Sequence, residues 1–183
     1  MTRKLTTLVC LTVVCGLLAG AWLEAAAQDK PEIIGADKCK MCHKGEKKGA
    51  QFEKWSEGPH AGAHATLGTD AAKAIAQEKG IADPQEDAGC LSCHTTRGAL
   101  ADAGAADTYD VAEGVGCEAC HGPGSLYKSM KVMKDREAAI AAGLIIPDEK
   151  TCTACHNEKS PTYKPFDYAA RVAEIAHPIP AGD

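Results

Sequence analysis

Aromatic side chains are scarce in this sequence. Two Trp, two Phe and four Tyr make up only 4% of its 183 residues. Large rings supply much of the apolar area of an ordinary core, so these residues do not provide a core of that kind. Positive charge is not in excess either. Twenty Lys and Arg stand against 25 Asp and Glu, a formal charge of −5, which argues against nucleic acid as a partner. No nucleophile–base constellation is visible, which leaves nucleophilic catalysis nothing to use.

What is abundant is cysteine in one repeated setting. Cys-x-x-Cys-His occurs four times, as Cys39/Cys42/His43, Cys90/Cys93/His94, Cys117/Cys120/His121 and Cys152/Cys155/His156. This is the pattern by which a polypeptide captures haem covalently. Two thiols one helical turn apart add across the porphyrin vinyl groups, and the adjacent histidine binds the iron as proximal ligand. Three other readings accept some of these features. Two Cys-x-x-Cys pairs make a zinc ligand set, but zinc needs no histidine directly after each second cysteine. A thioredoxin-like site needs one exposed pair in a β-α-β setting. A disulfide framework accepts an even cysteine count without explaining the histidines. The sequence therefore predicts four covalently bound c-type haems.

The first 27 residues read as a secretory leader. Arg3 and Lys4 form a charged start, Leu5 to Leu23 is mostly apolar, and Ala25-Ala26-Ala27 offers a small-residue cleavage site. The expected location is periplasmic or exported, possibly extracellular, with membrane attachment only if the leader is retained. Cys10 and Cys15 fall within it. The remainder, 28–183, is expected to be one tetrahaem domain with a formal charge of −6. That leaves about 40 residues per haem, too little for a separate apolar core around each. The porphyrins are expected to be the core, wrapped by helices and loops in a mainly α fold, and the haem-free chain to be largely unfolded.

Along the chain, 28–38 reads as a polar leader to the first motif. Lys44, Lys47 and Lys48 then form a basic patch suited to solvent or to steering an acidic redox partner. Helical spacing runs through Phe52 to Trp55 and stops near Gly58-Pro59. His60 and His64, four apart, are placed to share a helical face. A helix is predicted over 65–79, capped by Gly80, followed by a loop over 81–89. Residues 95–116 show no strong period. Gly122-Pro123-Gly124 forces a turn, and Ser125 is a candidate cap for a helix to about Ala142 that carries Met130 and Met133. A last helix over 167–176 delivers His177.

Ligand arithmetic adds a constraint. Four irons have eight axial positions, and the chain has seven histidines. At most three haems are bis-histidine. One takes methionine, which raises its potential, takes another group, or stays open to a small ligand such as NO.

Trp55 followed by His60-Ala61, then Gly114-Val115-Gly116-Cys117-Glu118-Ala119-Cys120-His121-Gly122-Pro123-Gly124, then Tyr163-x-Pro165-Phe166 and a helix ending at His177 together resemble the tetrahaem cytochrome c-554 family. The resemblance covers nearly all of 28–183. It implies a helical domain with closely stacked haem pairs, exported to the periplasm and passing electrons between redox enzymes. In the type member the donor is hydroxylamine oxidoreductase. It further implies His60 as distal ligand of the fourth haem and His177 as distal ligand of the third. The second haem, bound through His94, is then five-coordinate beneath a lid of Tyr163, Pro165 and Phe166. The family's distal histidine for the first haem corresponds to Lys131 here, so the match fails there. Met130, Met133 or His64 is the candidate replacement, and His64 is alternatively spare or the second haem's ligand.

The leading expectation is an electron carrier between a donor and an acceptor redox protein. The others are reduction of NO or another nitrogen oxide at the haem of His94, and assembly into an extracellular haem filament. Oligomers are compatible with all three.

Overall fold

The computed structural model describes residues 30–177, so the predicted leader lies outside the described residues. Helices are many and short: α1 (Ala36–His43), α2 (Gln51–Ser56), α3 (Ala63–Thr66), α4 (Asp70–Glu78), α5 (Ala88–His94), α6 (Thr96–Ala99), α7 (Cys117–His121), α8 (Met130–Met133), α9 (Arg136–Ala141), α10 (Glu149–Thr153) and α11 (Tyr168–Ile175). The fold is mainly α, as predicted. Helices of this length are not stable in isolation, so packing and capping must hold them. Thr69, Asp87, Asp135 and Asp167 each accept a backbone N–H at a helix start, a contact typically worth about 1 kcal/mol. Asp148 and Thr151 form a reciprocal capping box ahead of the fourth motif.

The one sheet among the described residues is a parallel pair, β1 (Glu32–Ile33) with β2 (Gly104–Ala105). It corrects the polar-leader reading of 28–38, because Ile33, Ile34 and Ala36 are buried. Ser125 does not cap a helix. It clamps β1 instead, its hydroxyl accepting Glu32 N–H at 2.8 Å while its own N–H donates to the Glu32 carbonyl at 3.2 Å.

Two predicted helices are broken. The segment read as 65–79 is α3 and α4, separated where Thr69 starts a new cap. Gly80 ends α4 with φ +69°, as expected for that position. The segment read as Ser125 to Ala142 is α8 and α9, divided where Asp135 caps α9. In both, a side-chain acceptor within an apolar-periodic run captures a backbone N–H and restarts the helix. The terminal helix falls within its predicted range.

The side-chain core is thin. Among the described residues the buried hydrophobic set is Ile33, Ile34, Ala36, Leu67, Ala76, Tyr127 and Ala139. A core this small is far below what a chain of this length needs, and it fits an interior filled mainly by cofactor.

Candidate haem-binding sites

Each Cys-x-x-Cys-His motif sits at the end of a short helix. In α1, α5 and α7 the helix closes on the motif histidine. In the fourth motif α10 covers Cys152, and the turn continues through Cys155 and His156, whose N–H groups both donate to the Cys152 carbonyl. The Asn157 amide closes that turn on the carbonyls of Thr153 (2.9 Å) and Ala154 (2.8 Å). Three-residue spacing on a helix places both thiols of a motif on one face, the arrangement that double thioether attachment requires.

The eight motif thiols are free, and no three His, Cys, Asp or Glu side chains among the described residues gather around a common point. The zinc and disulfide readings find no support there. Contacts between motifs give them a spatial order. Cys39 hydrogen-bonds Cys117, Cys120 faces Cys152, and Cys155 hydrogen-bonds Cys93. The first motif thus neighbours the third, the third the fourth, and the fourth the second, while Thr96 just past the second motif also meets the approach to the third through Gly116.

Cys42 differs from the other seven anchors. Seven of the thiols are half-buried, and Cys42 is exposed. Of the two thiols on this helix, Cys39 is the one that meets the third motif, beside Cys117. Cys42 stands in the last turn of α1, between exposed Met41 and the exposed Lys44 beyond the helix. Thioether attachment is governed by thiol spacing, which exposure leaves intact.

The third motif is built into a polar hub. Glu118, between Cys117 and Cys120, is 1% exposed. Its carboxylate accepts N–H bonds from Ile34 (3.0 Å), Gly35 (2.8 Å) and Gly124 (2.6 Å), which ties the chain entering the first motif to the chain leaving the third. Glu113 accepts from Ala36 N–H at 2.9 Å. Burial raises the Glu113 pKa, partly opposed by that Ala36 bond. The buried Thr96 hydroxyl, just past the second motif, accepts Gly116 N–H at 2.7 Å. Sequence reasoning missed Glu118 and Glu113. The available signal was an acid inside a Cys-x-x-Cys with glycines on both sides.

The glycines of the third motif have specific tasks. Gly114 has φ +72°, and a Cβ there would stand 2.7 Å from the His60 carbonyl oxygen. Gly122 has φ +80°, with the Gly143 carbonyl 2.7 Å from its Cβ position. Val115 between them accepts Trp55 Nε1–H at 2.9 Å and donates its N–H to the His60 carbonyl at 3.0 Å. This strap fixes the backbone of His60.

His60 and His64 do not share a helical face. His60 lies in the turn before α3, held by the strap, while His64 lies on α3 with Nε2 at 3.4 Å from the Gln85 carbonyl. The reason is local: Pro59 and Gly62 support a turn whose carbonyls bond Gly62 and Ala63 N–H, so the helix starts after His60.

Two imidazole pairs come together. The rings of His60 and His156 have centres 6.0 Å apart, and those of His121 and His177 are 5.9 Å apart. Imidazoles on opposite sides of one metal, each with its nitrogen about 2 Å away, have ring centres roughly 6 Å apart. The spacing therefore fits one iron per pair. Burial lowers the pKa of all four histidines, which keeps them neutral as ligation requires. The motif histidines are also oriented. His121 Nδ1 is 3.1 Å from the Ile145 carbonyl, and His94 Nδ1 is 2.7 Å from the Ala63 carbonyl. A carbonyl only accepts, so Nδ1 carries the proton and Nε2 is left for iron.

Phe166 stacks on His156 at 4.7 Å and 16°. In the lid expectation its partner was the haem of His94; its ring contact is instead with the fourth motif's histidine, which it orients. Tyr163 and Pro165 are exposed. Met130 is 65% exposed and Met133 half-buried, and neither enters an aromatic or hydrogen-bond contact that would select it as a ligand to His43's haem.

Four thiol pairs spaced one helical turn apart, each followed directly by a histidine, define a c-type cytochrome, a class that carries electrons on covalently bound haem. The profile of a family described as cytochrome c554 and c-prime matches residues 38–122. Cytochrome c-554 of Nitrosomonas europaea is 30% identical over 168 residues, covering 80% of this chain and 68% of that protein. The chain belongs to the cytochrome c-554 family. No solved structure matches it.

Proposed function

We propose that the mature protein, residues 28–183, is an exported tetrahaem carrier that moves electrons between two redox proteins. Haem, when bound, supplies a one-electron ferric/ferrous couple. The chain's own residues fix where that couple sits. The eight motif cysteines anchor it, Cys42 at the surface among them, and His43, His94, His121 and His156 serve as proximal ligands. His60 completes the site of His156, and His177 that of His121. The observation that carries this reading is the pair of ring separations near 6 Å, matching one metal between each pair.

Intact mass spectrometry of protein matured in a host competent for cytochrome c assembly tests the proposal. The expected mass is that of the leaderless polypeptide plus four haems. A mass short of four haems contradicts the count, and retention of residues 1–27 contradicts the export reading.

One observation favours a second activity. His94 is held on its Nδ1 side by Ala63, and the adjacent His64 is directed at Gln85 rather than across from it. His94 would hold a haem iron through Nε2, and with no second histidine assigned to it that haem would offer a site to NO. A change in the reduced spectrum on adding NO is expected. An unchanged spectrum removes this activity.

A further inference from the structure

The surface around the first motif carries a charge pattern that electron storage alone does not need. Residues 37–48 contain five lysines and two acids in a chain of formal charge −5. Lys40 is engaged, 3.7 Å from Asp37 and above the Phe52 ring. Lys38, Lys44, Lys47 and Lys48 are exposed. Met41, between the two cysteines of the motif and within the same stretch of sequence, is 74% exposed. An exposed, adaptable apolar side chain in a lysine-rich segment has the composition of a transient protein interface. The surface around the second motif is mixed, with exposed acids at Glu78, Asp83 and Glu86 beside exposed Lys79 and Arg97.

We propose that the first-motif surface, exposed Met41 with Lys38, Lys44, Lys47 and Lys48, is the docking face for an acidic redox protein. This rests on the carrier reading above. Charge complementarity selects the partner. An acidic protein is drawn to this lysine-rich surface, which sets encounter and orientation together. Electrons then enter or leave at the first motif.

The test uses the oxidised holoprotein and stopped-flow reduction by flavodoxin hydroquinone, an acidic one-electron donor. Each hydroquinone gives one electron to one ferric haem and becomes the semiquinone. The second-order rate of the unaltered protein is expected to fall at least about tenfold between low and near-physiological ionic strength. The K44E/K47E/K48E variant is expected to react about tenfold or more slowly at low salt, with the salt dependence flattened or inverted. E78K/E86K, around the second motif, is expected to stay within about twofold of the unaltered protein or to speed up.

Unchanged rates in K44E/K47E/K48E overturn the docking face. So does a patch that retains the protein on phosphatidylglycerol vesicles without affecting flavodoxin, which makes it a membrane surface. Self-association abolished equally by either variant overturns it as well, and makes the two surfaces the faces of a head-to-tail assembly. Dithionite separates the two levels of the argument. If every variant is fully reduced by dithionite, unchanged flavodoxin rates count against the docking face alone. A protein that dithionite cannot reduce overturns the carrier reading and the face together.

Discussion

The third and fourth motifs carry the same five-residue pattern and are held in opposite ways. Around the third, the polypeptide does the work. Glu118 gathers N–H groups from Ile34, Gly35 and Gly124, Thr96 and Glu113 secure the approach, and the strap through Val115 locks Trp55 and His60. Around the fourth, the bonds are local: the Asp148 capping box, the Asn157 amide, and Phe166 laid against His156. The first and third motifs are therefore organised by buried polar contacts of high sequence separation. The fourth has only these local bonds, with His60 from the strap placed 6.0 Å from His156, ring centre to ring centre. The third motif is held by the polypeptide, and the fourth is held mainly by local contacts.

Substitutions in the hub should cost most. Glu118→Ala strands three buried N–H donors, and a loss of about 3–5 kcal/mol is expected, enough to abolish holoprotein yield. Chemical denaturation of any recovered protein reads the difference, and a loss below about 1 kcal/mol would show that the hub is not what joins the first and third motifs. Next comes Gly114→Ala, which forces a Cβ against the His60 carbonyl at a positive φ. A cost of about 1–3 kcal/mol is expected, with one bis-histidine haem perturbed in its spectrum although residue 114 ligates nothing. Asp87→Ala removes the cap that accepts Cys90 N–H at 3.0 Å and should cost about 1 kcal/mol, leaving the third-motif haem unaltered.

The smallest effect concerns pH. Glu113 has its pKa raised above 4.5, first by burial, with the Glu118 charge adding to it. The folded state then holds that proton more tightly than the unfolded state does. The resulting stabilisation is complete below pH 4.5 and is lost as pH rises through the higher folded value. Glu113→Gln should flatten the stability profile in that window. A profile unchanged by the substitution would place its origin in other groups.

Much of the cofactor chemistry was legible because thioether attachment allows almost no freedom in spacing. Four Cys-x-x-Cys-His motifs can be read without any knowledge of packing, and the arithmetic of seven histidines follows from counting. Spacing is blind to burial, however, and exposed Cys42 is spelled in the sequence like its seven half-buried counterparts. His60 and His177 were reached through family resemblance, and the geometry pairs each with a motif histidine. What composition and periodicity missed has a common cause. The face shared by His60 and His64 assumed a helix through Gly62, where the chain instead turns to meet the strap. The long helix to Ala142 ignored Asp135 as a competing cap. Glu118 was passed over because an acidic residue is ordinarily a surface residue. Its burial depends on N–H groups more than 80 residues away, which no local pattern reveals.

The pairing of imidazoles across single irons is the central claim, and low-temperature EPR of the fully oxidised holoprotein tests it most directly. Spectra of the unaltered protein and of His60→Ala and His177→Ala should show each substitution removing one low-spin ferric signal, with a different signal lost in each case and a high-spin haem gained. Retention of every low-spin signal in either variant would mean that the histidine lies beside its partner without sharing a metal, and the account of the third and fourth motifs would be wrong.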